Sequence, residues 1–141
     1  MYLNCKTYFS YRYGTLGTEE LVDYAAEMGA TALALTNINN TSDVWDFVDF
    51  CQQQGIKPMA GVEVRNNAAG TAPGNECLLY VLLARNAEGL LHINRWLSVH
   101  LQEKRPFPAQ PDFMAEVWVI YPLGARALDQ LAPHELLGVG P

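Results

Sequence analysis

The run Thr31-Ala32-Leu33-Ala34-Leu35-Thr36 is apolar without alternating with polar residues, and it narrows the fold more than any other stretch. A strand with one face in water alternates apolar and polar side chains; a strand buried on both faces need not. Such strands belong to parallel sheets covered by helices, and the flanking sequence supplies helices. Thr18 is placed to cap one, with Glu19 and Glu20 opposing the dipole in its first turn, Leu21, Ala25 and Met28 at helical spacing, and Gly29 at its end. Thr41 or Ser42 caps a second, whose Val44, Phe47, Val48 and Cys51 make one apolar stripe and which closes at Gly55.

The alternation continues along the chain. Tyr2 to Cys5 is a first strand, Ile56 to Val64 a third and Cys77 to Ala84 a fourth, with an exposed Gly/Asn/Pro-rich loop from Asn66 to Glu76. A helix from Ala87 to Lys104 carries Leu90, Asn94, Leu97 and Leu101 along one side, and Pro106, Pro108 and Pro111 then make a stiff connector. Val117 to Tyr121 is a fifth strand, Ala125 to Leu131 a short helix, and Leu136 to Val139 the start of a sixth strand. The class is therefore α/β with a mainly parallel sheet of five to six strands, which puts functional groups at the carboxyl ends of strands. Asn4 to Thr7, Asn37 to Asn40 and Glu63 are expected there.

Half of the 141 residues are hydrophobic, enough for one compact domain. No stretch is long or apolar enough to span a bilayer, and no signal peptide precedes the first strand. Cys5, Cys51 and Cys77 are odd in number and lack CxxC spacing, which suits reduced core thiols in a cytoplasmic protein. Net charge −6 opposes unassisted binding to a phosphate backbone, so any DNA is expected to be held by another region.

Few motifs carry chemistry by themselves. There is no Gly-x-Ser-x-Gly turn, and Gly14-Thr15-Leu16-Gly17 lacks the length and ending of a phosphate loop. His92 follows Glu88 by four residues, a spacing that suits a solvated helix-face contact better than a ligand pair; His100 and His134 have no partner at diagnostic spacing. Asp43, Asp46 and Asp49 recur every three residues, as on an exposed helix face. Asn39-Asn40 suits a tight turn, since asparagine tolerates left-handed backbone angles. Lys6 to Tyr13 interleaves cations with aromatics as single-strand binders do, although packing of the loop over a barrel mouth accounts for the same pattern.

Four segments in order resemble one family. Asn4-Cys5-Lys6-Thr7, followed by Tyr8-Phe9-Ser10, Gly14 and Glu19-Glu20-Leu21, is similar to the His-x-His-Ser strand end, aromatic segment and first helix of the PHP (polymerase and histidinol phosphatase) domain. That domain opens the alpha subunit of bacterial replicative DNA polymerase III. Ala34-Leu35-Thr36-Asn37-Ile38-Asn39-Asn40 resembles its Ala-Leu-Thr-Asp-His-Gly-Asn. Gly55-Ile56-Lys57-Pro58 with Gly61-Val62-Glu63-Val64 matches its Gly-Ile-Lys-Pro and Gly-x-Glu-Val. Leu82-Leu83-Ala84-Arg85-Asn86-Ala87-Glu88-Gly89 is similar to its Leu-Leu-Ala-Lys-Asn-x-Glu-Gly. The resemblance covers Met1 to about Asn94 and implies part of a distorted β/α barrel, open because residues 1–141 supply only five or six of about seven strand-helix units.

The resemblance also implies a divalent-metal cluster for phosphoester hydrolysis, and this chain departs from it at the ligands. Asn4 and Lys6 stand where the family has the two first-strand histidines, Asn37 and Ile38 where it has Asp-His, and Leu79 where it has another histidine; only Glu63 keeps ligand chemistry. The expectation is a vestigial, metal-free cleft with no catalytic residue, in which Lys6 offers Glu63 a counter-charge.

By resemblance the chain is the amino-terminal portion of a PHP domain in a longer DNA-directed DNA polymerase, where it acts as structural support or docking surface. The parent's Mg2+ and nucleotidyltransferase residues would lie elsewhere. The implied partners are the polymerase's other domains and proofreading or other replisome subunits, and open sheet edges would make the isolated segment self-associate. Two alternatives stand beside this: a retained metal-dependent phosphoesterase (3'-5' exonuclease or pyrophosphatase), and a free-standing non-catalytic binding module.

Overall fold

A computed structural model describes residues 2–67 and 76–138. The chain separates into two compact units, Met1–Val62 and Glu63–Pro141, where composition suggested one domain. The fold is α/β, as the alternation predicts.

In the first unit β1 (Tyr2–Cys5) pairs in parallel with β2 (Ala32–Leu35), and β2 with β3 (Lys57–Asn67), whose second half belongs to the other unit. Every residue of β2 is buried, from Ala32 at 9% exposure to Ala34 at 0%, as the unalternated run requires. Helix α1 (Thr18–Glu27) buries Thr18, Val22 and Ala25 and leaves Met28 exposed, so its inner face is turned from the expected Leu21-Ala25-Met28 stripe. The cap also moves. Gly17 is the N-cap, its N–H donates to Glu20 Oε2 at 2.8 Å, and the Thr18 hydroxyl goes elsewhere. Helix α2 (Val44–Gln53) buries Val44, Phe47 and Cys51, and its N-cap position is Asp43 rather than Thr41 or Ser42. Gly29 and Gly55 end the two helices with φ of 70° and 69°, conformations that a side chain would strain.

In the second unit the strand order is the remainder of β3, then β4 (Glu76–Ala84), β5 (Val117–Pro122) and β6 (Glu135–Gly138). β4 and β5 are antiparallel and β5 and β6 parallel, so three of the four registers described for the sheet are parallel. β3 runs on to Asn67, so Glu63 lies inside a strand rather than at its carboxyl end, and residues 66–67 are strand where a loop is expected. The rest of that expected loop, 68–75, lies outside the described residues. The expected Ala125 to Leu131 helix is only a single 3-10 turn, Leu128–Gln130.

Helix α3 (Ala87–Gln102) opens on Asn86, whose Oδ1 accepts the Gly89 N–H at 3.0 Å, and buries Leu90, Ile93 and Leu97 while Leu101 is exposed. The proline connector is packed as well as stiff. Phe107 is buried, exchanges backbone bonds with the Asn66 side chain at 2.7 and 2.8 Å, and stacks on Trp96 at 5.2 Å, while Tyr80 Oη donates to Pro108 O at 2.9 Å.

Gly89 sits where α3 touches the chain before β5: a Cβ there would lie 2.0 Å from Glu116 O. Gly to Ala inside a helix ordinarily stabilises by about 1 kcal/mol. Gly89→Ala is expected to do the reverse and cost about 2 kcal/mol in urea unfolding, because the clash is with backbone. A stabilised variant would show that α3 does not approach this closely.

Candidate functional site

Most of the buried polar side chains of the first unit converge on one cluster. Asn37 follows β2 and is 1% exposed; Thr7 and Ser10 follow β1 at 0% and 1%; Asp43 precedes α2 at 2%. The Asn37 amide oxygen accepts from Thr7 N–H at 2.9 Å and Ser10 Oγ at 2.7 Å. Its two N–H bonds go to Thr7 Oγ1 at 2.9 Å and Asp43 Oδ1 at 2.7 Å. Both lone-pair directions and both protons of the amide are thus used. The other Asp43 oxygen, Oδ2, accepts from Thr7 Oγ1 at 2.7 Å and from Thr18 Oγ1 at 2.8 Å, and Ser10 Oγ accepts the Ile38 N–H at 2.9 Å.

This cluster explains two departures from expectation. Thr18 does not cap α1 because its hydroxyl serves Asp43. Asp43 does not share the exposed face of Asp46 and Asp49, because its carboxylate is buried among donors that satisfy it. Neither role was apparent from the local sequence, in which Thr18 reads as a cap and Asp43 as one of three aspartates on an exposed helix face. The available signal was chemical: a buried Asn37 needs acceptors for two protons, and Asp43 is the nearest downstream carboxylate.

The same cluster fixes the loop from Lys6 to Leu16. Thr7 O accepts Ser10 N–H at 2.9 Å, Ser10 O accepts Tyr13 and Gly14 N–H at 2.9 and 3.0 Å, and Tyr8 N–H donates to Leu16 O at 2.9 Å. Gly14 passes so close that a Cβ would meet Thr7 O at 1.9 Å. Asn39 has φ 53°, as an Asn-Asn turn predicts, and Asn40 Nδ2 holds Ile38 O at 3.0 Å and Phe9 O at 3.2 Å.

The other vestigial positions have partners of their own. Asn4 Oδ1 accepts from Lys6 Nζ and from Thr36 Oγ1, both at 2.7 Å. Ile38 is half-buried with an apolar side chain. Glu63, 1% exposed, forms an ion pair with Arg65 of the same strand. Leu79 lines a cavity of about 310 Å3 with Gln110, Tyr121 and Arg126 among its walls. Lys6 and Glu63 fall in different units, and the expected pair between them is not described. Among the described residues no three His, Cys, Asp or Glu side chains group as a metal site would require.

Beside that cavity lies a second buried carboxylate that the sequence did not reveal. Glu135 Oε1 accepts from Tyr121 Oη and Arg126 Nη1, each at 3.1 Å, and Oε2 accepts from Ala132 N–H at 2.9 Å. Burial pushes the Glu135 pKa up, but the Ala132 N–H, the Tyr121 hydroxyl and the Arg126 charge outweigh it and hold the group below the ordinary value. Tyr121 moves upward, through burial and then its bond to Glu135.

Cys51 is buried and pushed up to about 11 by burial, and Cys5 is raised by burial against the lowering effect of Lys6. Cys77 is exposed, contrary to the expected core thiol. His92 Nδ1 meets Ala115 O at 2.9 Å rather than pairing with Glu88; His100 Nδ1 meets Trp96 O at 2.9 Å; His134 packs edge-on to Phe113.

The PHP domain family matches residues 3–128, beyond the span its motifs cover in the sequence. An error-prone DNA polymerase of Anaeromyxobacter sp. (strain K) is 35% identical over 135 residues, which is 93% of this chain and 12% of that protein. DNA polymerase III subunit alpha of Ureaplasma parvum serovar 3 is 27% identical over 79% of the chain and 10% of its own length. The chain thus spans about an eighth or less of these relatives. Among solved structures, an amidohydrolase from Chromobacterium violaceum matches 72% of the chain and 33% of its own, with a TM-score of 0.54 and 23% identity, a likeness of fold. No helix among the described residues is long and apolar enough to cross a membrane.

Two outcomes follow from the buried carboxylates. In Asn37→Asp, an acid facing Asp43 would have to keep its proton, so its pKa rises on folding. Such a group leaves stability intact below the unfolded value of about 3.9 and erodes it as pH climbs through the folded value. The variant is expected to lose about 3 kcal/mol at pH 7 and to recover most of that, relative to the parent chain, near pH 4; an equal loss at both pH values would count against a shared proton. Arg126→Met, which leaves Glu135 without its cation, is expected to cost roughly 2–4 kcal/mol in the same unfolding measurement at pH 7. Glu135, with its depressed pKa, contributes stability above the unfolded carboxyl value of about 4.3 that is lost as pH falls through the folded value, so the penalty should shrink in acid.

Proposed function

The chain belongs to the PHP domain family, and on that premise we propose that it is the amino-terminal portion of the PHP domain of a DNA-directed DNA polymerase, serving as support rather than as a catalyst. The observation that carries this is the Asn37 amide. In the family's motif this position is an aspartate, a metal ligand; here both lone-pair directions of the amide oxygen are taken by Thr7 and Ser10, and the nitrogen binds Asp43. An amide so committed has nothing left to offer a divalent ion.

The remaining donor chemistry supports the same reading. Asn4 Oδ1 is shared by Lys6 and Thr36, Lys6 is itself a cation, Ile38 and Leu79 have no donor atom, and Glu63 is engaged by Arg65. The donor set does not fit the metal cluster that the family implies, and no hydrolytic step is assigned to these residues. Where the family would fasten β1, β2 and their loops with a metal, this chain fastens them with hydrogen bonds from uncharged donors to one carboxylate.

Polymerase identity rests on the relatives' names and on the coverage of the family match. In that reading nucleotidyl transfer and its Mg2+ belong to the parent's polymerase domain, the parent holds the primer and template, and the protein is cytoplasmic. The parent's other domains are the principal partners, with proofreading or other replisome subunits as further ones. β1 stands at the end of its strand order with Tyr2 and Leu3 exposed, an edge suited to burial by the rest of the parent or by self-association of the isolated chain.

Metal analysis of the chain purified without chelator is expected to find zinc, manganese and iron far below stoichiometric. Phosphate release from a generic phosphomonoester with added manganese should sit at background and be unchanged in Glu63→Gln. Stoichiometric metal together with hydrolysis that Glu63→Gln abolishes would restore the phosphoesterase reading.

A further inference from the structure

The loop from Lys6 to Leu16 does more than close over β1. Its aromatic rings are exposed, where packing of the loop over a barrel mouth would bury them. Tyr11 is 81% exposed, Tyr8 56%, Tyr13 43% and Phe9 41%. Four large rings in six residues, each at least 41% exposed, make a dense aromatic stretch of surface.

The loop is also tied down at several points. Thr7 and Ser10 anchor it from inside through the Asn37 cluster, Gly14 allows the backbone to double back against Thr7, and Asn40 holds Phe9 O from the far side. The rings are ordered among themselves, with Tyr8 stacked on Phe9 at 4.8 Å and 29° and the Arg12 guanidinium 5.5 Å above the Tyr11 ring. Arg12 has a left-handed backbone, φ 72°, a conformation that costs energy outside glycine and is held here by the turn around it. A surface whose shape is already set gives up little entropy when a partner binds.

The charges within the loop itself are positive, and the nearest carboxylate beside Tyr8, that of Glu20, is bonded to the Gly17 N–H at 2.8 Å. The first 18 residues contain Lys6 and Arg12 and no carboxylate, in a chain of net charge −6. Outward aromatic faces interleaved with a small number of cations match an anion whose flat groups are unpaired: the rings offer stacking, which every base accepts, and the cations track the linking phosphates. A duplex offers no free base faces, and two cations are too few to hold it by phosphates alone.

From this we propose that residues 6–16 form a stacking platform for a few bases of single-stranded nucleic acid. The platform is a contact additional to the supporting role and independent of it, since it holds or fails whatever becomes of the metal positions.

The test is fluorescence anisotropy of a short labelled oligo(dT) titrated with the full chain at low salt, beside a duplex of equal length. Saturable binding of the single strand is expected, with the duplex much weaker and a log–log salt slope near about −1.4 for two phosphate contacts. Tyr11→Ala, and separately Tyr8→Ala with Phe9→Ala, should each weaken binding by roughly tenfold, with thermal unfolding unchanged because the rings are exposed. Arg12→Gln should reduce the slope by about 0.7. Failure of oligo(dT) to saturate at low salt, equal binding of duplex, or indifference to all three ring substitutions would overturn the proposal. So would self-association that Tyr11→Ala abolishes in a chain that ignores oligo(dT), an outcome that would mark the surface as a protein contact.

Discussion

One hydrogen bond organises the first unit: the Asn37 amide donating to the buried Asp43 carboxylate at 2.7 Å. It joins the end of β2 to the start of α2, and Thr7 and Thr18 extend it to the loop after β1 and the start of α1. A carboxylate this buried is costly unless its oxygens are satisfied, and here each oxygen has at least one close donor. The arrangement works because the partner is an amide, which both donates and accepts; two carboxylates could not meet at this distance without a proton or a cation between them. The ends of β1 and β2 are thereby tied together by hydrogen bonds through Thr7, Asn37 and Asp43.

The second unit solves a similar problem differently. Glu135 keeps its charge under cover by combining Arg126, a tyrosine hydroxyl and a backbone N–H, and the Arg126 guanidinium in turn lies 5.2 Å over the Tyr121 ring and donates to Gln110. Tyr121, Tyr80, Trp96, His100 and Phe107 form a continuous run of ring contacts through which β4, β5, α3 and the proline connector are packed. The backbone approach at Gly89 is the steric counterpart of this packing. The connector, legible as stiff from its prolines, is therefore structured by Phe107 and by the Asn66 side chain as much as by proline itself.

Elements with strong local signals were legible and those set by long-range contacts were not. β2 was read from its composition, and the two glycine helix ends from the need for a left-handed residue. The inner face of α1 was misassigned because Leu21 and Met28 are as apolar as the Val22 that is buried; only the identity of the surface beneath the helix separates them. The antiparallel step between β4 and β5 was invisible for a similar reason, since parallel and antiparallel strands of this composition look alike until they are paired.

The sequence by itself determined the α/β class, the turn chemistry at Gly29, Gly55 and Asn39, and the family to which the chain belongs, because each is a property of residue type or of neighbours a few positions apart. Only the tertiary structure decided that Thr7, Ser10, Thr18, Asn37 and Asp43 share one interior cluster, that Glu135 is held by Arg126, and that Tyr8, Phe9, Tyr11 and Tyr13 are exposed. These depend on side chains separated by up to 36 residues meeting within about 3 Å, and no local pattern encodes which polar group another will find once both leave water.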